Sequence, residues 1–464
     1  MQGQEKFKQF VTKHPHRHAF AATRPFFTRR RFFEVLGAGF GGAVLAQPAF
    51  TQNTGVVARG NPALLNKARN VVFVLLPGAP SHTDTFDLKM LNGTTPTSFN
   101  PETVNGILWP TGLMPKLAAN LPDMAIVRSV RSWALQHNLA QAWAQIGRSP
   151  AAALGDIAPN IGSIVSVEKK GERRATDTFP TFLGLNANDM IGSGYLNAAY
   201  GPVKFTPAQS GFPDTTNPDG QARFEQKFSL LQSLEGDLRK GTTLSSQVTD
   251  YDSFYQSGKG MMFNAKVDQA FRYTTQEAQR YGNSGFGNAC LTAYKVLAAD
   301  EGTRYVQINF GGWDHHAAIY DAANLPRMTG MLDSGLSALL SDLKTGGLLN
   351  ETLVVVMGEF GRTTGALTGQ GGRDHYSQQF AVFAGAGIKG GRALGATDEA
   401  GAEVKEFGWS RDREVRFEDI EATIYSALNI NYTNIRYDDP FQRGFEYVPY
   451  ADQDLYGPIH ELWS

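Results

Sequence analysis

Residues 309–318 read NFGGWDHHAA, an aspartate and two adjacent histidines behind a pair of glycines, directly after a run that alternates like a strand. Of the nine histidines in the chain, His14, His16 and His18 fall in a basic N-terminal stretch, which leaves His82, His137, His315, His316, His375 and His460. Four of these follow apolar runs by a few residues: His82 after VVFVLLPGAPS, His315 and His316 after YVQINFGGWD, and His375 after the loop that leaves LVVVMGEF. Carboxylates accompany each one: Asp84 and Asp87, Asp314, Glu359 and Asp374. Imidazole with carboxylate is a ligand set for zinc, manganese or iron, and carboxylate oxygens also suit calcium and magnesium. On an extended loop, side chains two apart point the same way, so Asp314 and His316 can share one ion while His315 faces elsewhere.

The segment GEFGRTTGALTGQGGRDHY, residues 358–376, is rich in glycine and alanine. It can therefore bend Asp374 and His375 back over a sheet edge. Arg362 reads two ways, as a bidentate fork for a bound anion or as a structural pair for Glu359 or Asp374. A serine hydrolase is poorly supported, because no G-x-S-x-G elbow is present. Two G-x-G-x-x-G strings, at 37–42 and 385–390, carry no dinucleotide site: the first lies in the N-terminal stretch and the second lacks a following helix.

These residues need a scaffold that gathers strand exits at one edge. VVFVLL at 71–76, bounded by Pro77-Gly78, is a continuous apolar run of the kind that forms a fully buried strand. Tyr305 to Phe310, Leu353 to Met357 and Phe380 to Ala384 resemble it. Between the first two of these, Met328, Met331, Leu332, Leu336, Leu339, Leu340 and Leu343 recur at helical spacing, giving a βαβ crossover. The expected class is α/β with a largely parallel central sheet flanked by helices, which places ligands at the carboxyl ends of the strands. A single domain over 51–464 is expected, with a mainly helical and loop insertion at about 186–300 and a further helix near Phe417 to Leu428.

Residues 1–50 read as an address rather than as part of the fold. Thr28-Arg29-Arg30-Arg31-Phe32-Phe33 precedes the apolar, Gly/Ala-rich run Val35 to Ala46, the layout of a twin-arginine signal. A periplasmic or secreted protein follows as the expectation, with no transmembrane segment in the mature chain, since no later run reaches the roughly 18 apolar residues a span needs. The net charge is -1, and the basic leader leaves the remainder acidic, which argues against a nucleic-acid partner. With Cys290 as the one cysteine, an internal disulfide is excluded.

The strings GGWDHH, GEFGRT and GGRDHY, with LLPGAPSHTDTFDLK near the start and the twin-arginine leader, make the sequence resemble the bacterial domain of unknown function 1501 family, within the alkaline phosphatase and sulfatase superfamily. The resemblance implies an alkaline-phosphatase-like hydrolase with two metal sites at the strand ends and a Ser or Thr nucleophile between them. Asp314, His316 and His375 match the Asp, nearby His and distant His of one site. The other site takes an Asp ending the first strand and an adjacent Asp-His; here those places hold Pro77-Gly78-Ala79 and Glu359-Phe360. One ion is therefore expected unless His82, Asp84 or Glu359 rebuild the second site. Ser129 and Ser132, with His137 on the same segment, stand at about the right distance for a nucleophile, and Ser81 competes. The implied function is an exported metal-dependent hydrolase of phosphate or sulfate esters. Zinc is the first choice of metal, with calcium, magnesium or manganese as alternatives, and Arg362 or Arg373 would hold the ester oxygens. The substrate would be a small anionic ester or cell-surface glycan, and a co-encoded exported protein is the implied partner. The alternative is a non-catalytic binding or assembly protein that keeps the fold and one metal.

Overall fold

Alternation along one buried strand sets the layers. In the computed structural model, which describes residues 55–188, 190–213, 215–239 and 258–464, strand β1 (Asn70–Leu75) is buried at every position. The leader expected at 1–50 lies outside the described residues. Because successive side chains of a strand point to opposite faces, Val72 and Val74 enter one apolar cluster while Val71, Phe73 and Leu75 enter another.

The central sheet has eight strands. In chain order its members are β1, β2 (Met124–Arg131), β3 (Phe182–Leu185), β4 (Val203–Phe205), β5 (Tyr305–Asn309), β6 (Thr352–Met357), then, after a small hairpin of β7 (Gly361–Arg362) and β8 (His375–Tyr376), β9 (Gln378–Gly385) and β10 (Arg392–Leu394). In space the order is β10-β2-β9-β6-β1-β5-β3-β4. Every neighbouring pair is parallel except those of β9, which runs antiparallel to both β6 and β2. The reversal has a plain cause: β6 reaches β9 through a loop and a small hairpin with no crossover helix, so the chain re-enters the sheet from the edge it left.

Helices α1 (His137–Ile146), α2 (Ile161–Glu168) and α8 (Phe417–Ala427) cover one face, and α6 (Gly285–Ala299) and α7 (Leu325–Thr345) cover the other. Between them in sequence come α3 (Gly220–Arg239), α4 (Ala265–Phe271) and α5 (Thr275–Arg280). The architecture is α/β with a mostly parallel sheet. Within the stretch at 186–300, residues 203–205 form the edge strand β4 and residues 285–299 the helix α6, which packs into the core.

Register decides where the chemistry gathers. Leu75 pairs with both Asn309 and Met357, so β1, β5 and β6 end on one row. Their exit loops, carrying Gly78, Asp314 and Glu359, therefore leave the same edge side by side. Among the described residues no helix is long and apolar enough to cross a membrane.

Candidate metal centre

Two glycines let these loops touch. Gly78 has φ +102, and a Cβ there would lie 2.7 Å from the backbone nitrogens of Trp313 and Asp314, so only glycine allows the β1 exit to pass the β5 exit. At Gly372 a Cβ would meet the His316 carbonyl carbon at 2.0 Å, which lets the 365–374 loop lie along residues 315–319. Backbone bonds fasten that contact, from Arg373 N to His315 O at 3.0 Å and from Ile319 N to Gly371 O at 2.9 Å. The small hairpin then sets Arg362 opposite His375. On the other side, α1 begins with His137 in its first turn, just beyond the end of β2.

The result is a cluster of His137, Asp314, His316 and His375 whose ligand atoms all lie within 4.8 Å of one another. Asp314 Oδ1 is 2.9 Å from His316 Nε2, 3.3 Å from His137 Nε2 and 3.8 Å from His375 Nε2, and the last two imidazoles in sequence approach Nε2 to Nε2 at 3.1 Å. Each ring is held from behind. His137 Nδ1 donates to Glu359 Oε1 at 2.7 Å, His316 Nδ1 to Asp374 Oδ1 at 2.9 Å, and His375 Nδ1 to the Leu135 carbonyl at 2.7 Å. Carboxylates and carbonyls only accept, so in the neutral ring the proton sits on Nδ1 and the bare Nε2 lone pair points inward. Three lone pairs and a carboxylate oxygen thus face one another, an arrangement that a cation between them resolves. A tetrahedron about zinc has edges of about 3.3 Å, so these separations fit such an ion.

Titration follows the same contacts. The Glu359 hydrogen bond raises the His137 pKa against the opposing effect of burial. Burial lowers that of His375. For Asp314 burial works against ionisation, but the hydrogen bond and charge of Arg362 prevail and hold the carboxyl below its ordinary value. His315, outside the cluster, is pushed down to about 4, first by burial and then by Arg362. Side-chain exposures of 45% for Asp314 and 42% for His316 leave the centre open to solvent on one side.

The structure distributes the other candidates as follows. Asp314, His316 and His375 come together, and His137, expected as a nucleophile's companion, joins them as a fourth donor. Glu359 and Asp374, expected as ligands, stand behind His137 and His316 as hydrogen-bond acceptors; Glu359 Oε1 also accepts from Gly78 N at 2.8 Å and Gln141 Nε2 at 3.2 Å. His82 and Asp84 lie in separate buried surroundings. His82 Nε2 donates to the Gly401 carbonyl at 2.8 Å, and Asp84 pairs with Arg373 at 2.7 Å. No second metal site is rebuilt from them among the described residues.

The serines are engaged elsewhere too. Ser129 Oγ donates to Phe407 O at 2.7 Å, Ser132 Oγ to Ala134 O at 2.9 Å and Ser81 Oγ to Asp84 Oδ2 at 2.6 Å. Neither arginine offers a free fork. Arg362 donates to the carbonyls of Ala79, Arg373 and Gly78 and to Asp314; Arg373 donates to Asp84, Tyr320 and the carbonyls of Thr363 and Gly365. The Leu135 carbonyl and Gly78 amide are main-chain groups with no residue-type signature, so sequence reasoning could not have found them. The position of His137, at a helix start just past a strand, was the one available signal for its role.

Comparison with known proteins supplies the family. The sequence matches the family described as a protein of unknown function (DUF1501) over residues 68–447, and the chain belongs to that family. No curated protein matches it. Among solved structures it is similar to Ps i-CgsB in complex with k-i-k-neocarrahexaose, at 12% identity and a TM-score of 0.40, covering 85% of this chain and 78% of that one. It is also similar to the lipoteichoic acid synthase LtaP from Listeria monocytogenes, at 10% identity and TM-score 0.36, covering 85% and 79%. A protein in the alkaline phosphatase superfamily from Vibrio parahaemolyticus is similar at 11% identity and TM-score 0.36, covering 80% and 68%.

Proposed function

We propose that this member of the DUF1501 family is an exported hydrolase of phosphate or sulfate esters that works with a divalent ion held by Asp314, His316, His375 and His137. The observation that carries the reading is the convergence of three Nε2 lone pairs on Asp314 Oδ1, each ring locked by an acceptor at its Nδ1. Three nitrogens and one oxygen favour zinc over calcium or magnesium, which take oxygen sets. When bound, such an ion polarises an ester oxygen and lowers the pKa of water at the site.

The chain's own residues do the rest. Glu359, Asp374 and Leu135 O fix ring orientation and raise the basicity of the donors. The half-exposed side of Asp314 and His316 admits the ester. With the three serines engaged elsewhere and both arginines turned inward, this reading takes water as the nucleophile, and a bound ion rather than a guanidinium fork would hold the substrate anion. Metal analysis followed by a panel of aryl phosphates and sulfates tests the proposal, and a metal-replete protein inert to all of them would count against it.

One observation favours a second reading, a non-catalytic exported protein that keeps the ion. Four protein donors complete a tetrahedron, whereas catalytic zinc sites usually keep one position open. Chelation separates the two: it abolishes turnover under the first reading, and under the second it changes only melting temperature or partner binding.

A further inference from the structure

Arg362 is a cation 1% exposed and 2.5 Å from a ligand oxygen, and the hydrolase reading leaves it without a chemical role. Its surroundings are informative. Nε donates to the Ala79 carbonyl at 2.9 Å, Nη1 to the Arg373 carbonyl at 3.0 Å and, more distantly, to His316 Nε2 at 3.4 Å, and Nη2 to the Gly78 carbonyl and to Asp314 Oδ1. Three main-chain carbonyls and a carboxylate make up most of this socket, oxygen donors of the kind that suit a hard metal ion. A guanidinium fills it, permanently charged and unable to dissociate from the chain.

We infer that the centre takes one divalent ion and no second, because Arg362 is a tethered cation standing in the oxygen-rich socket beside it. The inference rests on the reading above that the His137, Asp314, His316 and His375 cluster binds an ion. Charge supports it independently. Asp314, Glu359 and Asp374 carry three negative charges about the cluster, and Arg362 returns one. The imidazoles bind metal in their neutral form, so the cluster is two charges short of neutrality, which one divalent ion supplies. A second divalent ion would leave the same excess of positive charge in a partly buried place, at a steep desolvation cost. Asp84 does not make up the difference, since Arg373 already neutralises it. Arg362 is thus a positioning residue: it fixes the oxygen that Asp314 presents and ties the β1 exit loop to the loop that delivers His375.

The test is metal stoichiometry and affinity on the full chain. Wild-type protein saturated with zinc and dialysed should carry one ion per chain by elemental analysis. Arg362→Ala should bind zinc about 10- to 100-fold more weakly, as loss of a ligand-orienting partner does, and should melt lower. Millimolar guanidinium chloride should restore both properties, and the same concentration of sodium chloride should restore neither. Two ions per wild-type chain, or wild-type zinc affinity in Arg362→Ala without guanidinium, would overturn the inference while leaving the ligand cluster intact. No bound ion at all would sink both. Should Arg362→Ala fail to fold, Arg362→Lys, which keeps the charge, is expected to hold one ion, and two would again overturn the inference.

Discussion

Two polar clusters sit under the same sheet edge, one around Asp84 and one around Asp314, and both join an aspartate to an arginine of the 362–373 loop. Around Asp84 every partner finds its complement. Arg373 donates to both carboxylate oxygens, Ser81 and Tyr320 hydroxyls donate to the same group, and Asp84 and Arg373 are both fully buried. Around Asp314 the arginine is likewise engaged, yet three imidazole nitrogens face one carboxylate oxygen with no donor of their own to offer. The first cluster is complete without a ligand; the second is a set of acceptors that could hold a cation. Residue types alone mark both as sites, and what separates them is the balance of donors and acceptors.

The comparison breaks first under removal of its two aspartates. Asp84→Ala leaves the Arg373 charge buried and unpaired, a loss of about 3–5 kcal/mol in unfolding free energy measured by denaturant titration. Metal content of whatever remains folded should be unchanged. Asp314→Ala should instead weaken zinc binding by at least about 100-fold, more than loss of an orienting partner does. Its metal-free form should also melt below metal-free wild type, because the buried Arg362 guanidinium loses its carboxylate, so metal content is what separates the two variants. If Asp84→Ala loses metal as well, the two clusters are one unit.

Chelation sharpens the same contrast at smaller amplitude. With free zinc at 1,000 times its dissociation constant, binding adds about 4 kcal/mol to the native state. Stripping zinc from wild type should therefore lower the melting temperature clearly, while Asp314→Ala, at no more than about ten times its weakened dissociation constant, should respond by about 1.4 kcal/mol or less. Asp84→Ala should respond as wild type does.

The serines come next. Because Ser129, Ser132 and Ser81 hydroxyls are bonded away from the centre, alanine variants at 129 and 132 should hydrolyse an aryl ester within about twofold of wild type, where general acid–base groups contribute 10²–10⁴. Ser81→Ala should cost stability instead, about 1.5–3 kcal/mol for a buried hydrogen bond to a charged group. A hundredfold fall in turnover at Ser129 or Ser132 would return the nucleophile to the serine that caused it.

What was legible in the sequence follows from where signals come from. Apolar runs disclosed β1, β5, β6 and β9 and the helix α7, because burial on both faces leaves a strand mostly apolar, with polar residues such as Gln307 and Gln378 the exceptions. The antiparallel direction of β9 left no such mark, since a strand buried on both faces looks alike either way. Asp314, His316 and His375 were readable as metal-ligating types at strand exits. His137 was readable as a residue but not as a donor, because its partners depend on how α1 leaves β2. Glu359 and Asp374 read as ligands for the same reason that they orient ligands: a carboxylate serves either purpose, and only geometry decides. Arg373 was read as an anion fork and Arg362 as a fork or a pair for Glu359 or Asp374, because the carbonyls they hold have no sequence signature.

The smallest effect separates buried His82 from partly exposed His137 by sign. The Glu359 hydrogen bond raises the pKa of His137, so in metal-free protein its contribution to stability is fully present below the unfolded value and is lost as pH rises through the folded one. His82 is lowered by burial, its Nδ1 left without a partner beside Gly361; its contribution is present above the unfolded value and is lost as pH falls through the folded one. Both windows begin near pH 6.5 and run in opposite directions. In chelator-treated protein, His82→Gln should therefore flatten the fall in melting temperature on acidification, and His137→Gln the fall on raising the pH. Zinc displaces the His137 proton, so in loaded protein only the His82 slope should survive. A loaded protein that keeps both slopes would show that His137 titrates freely and is no ligand.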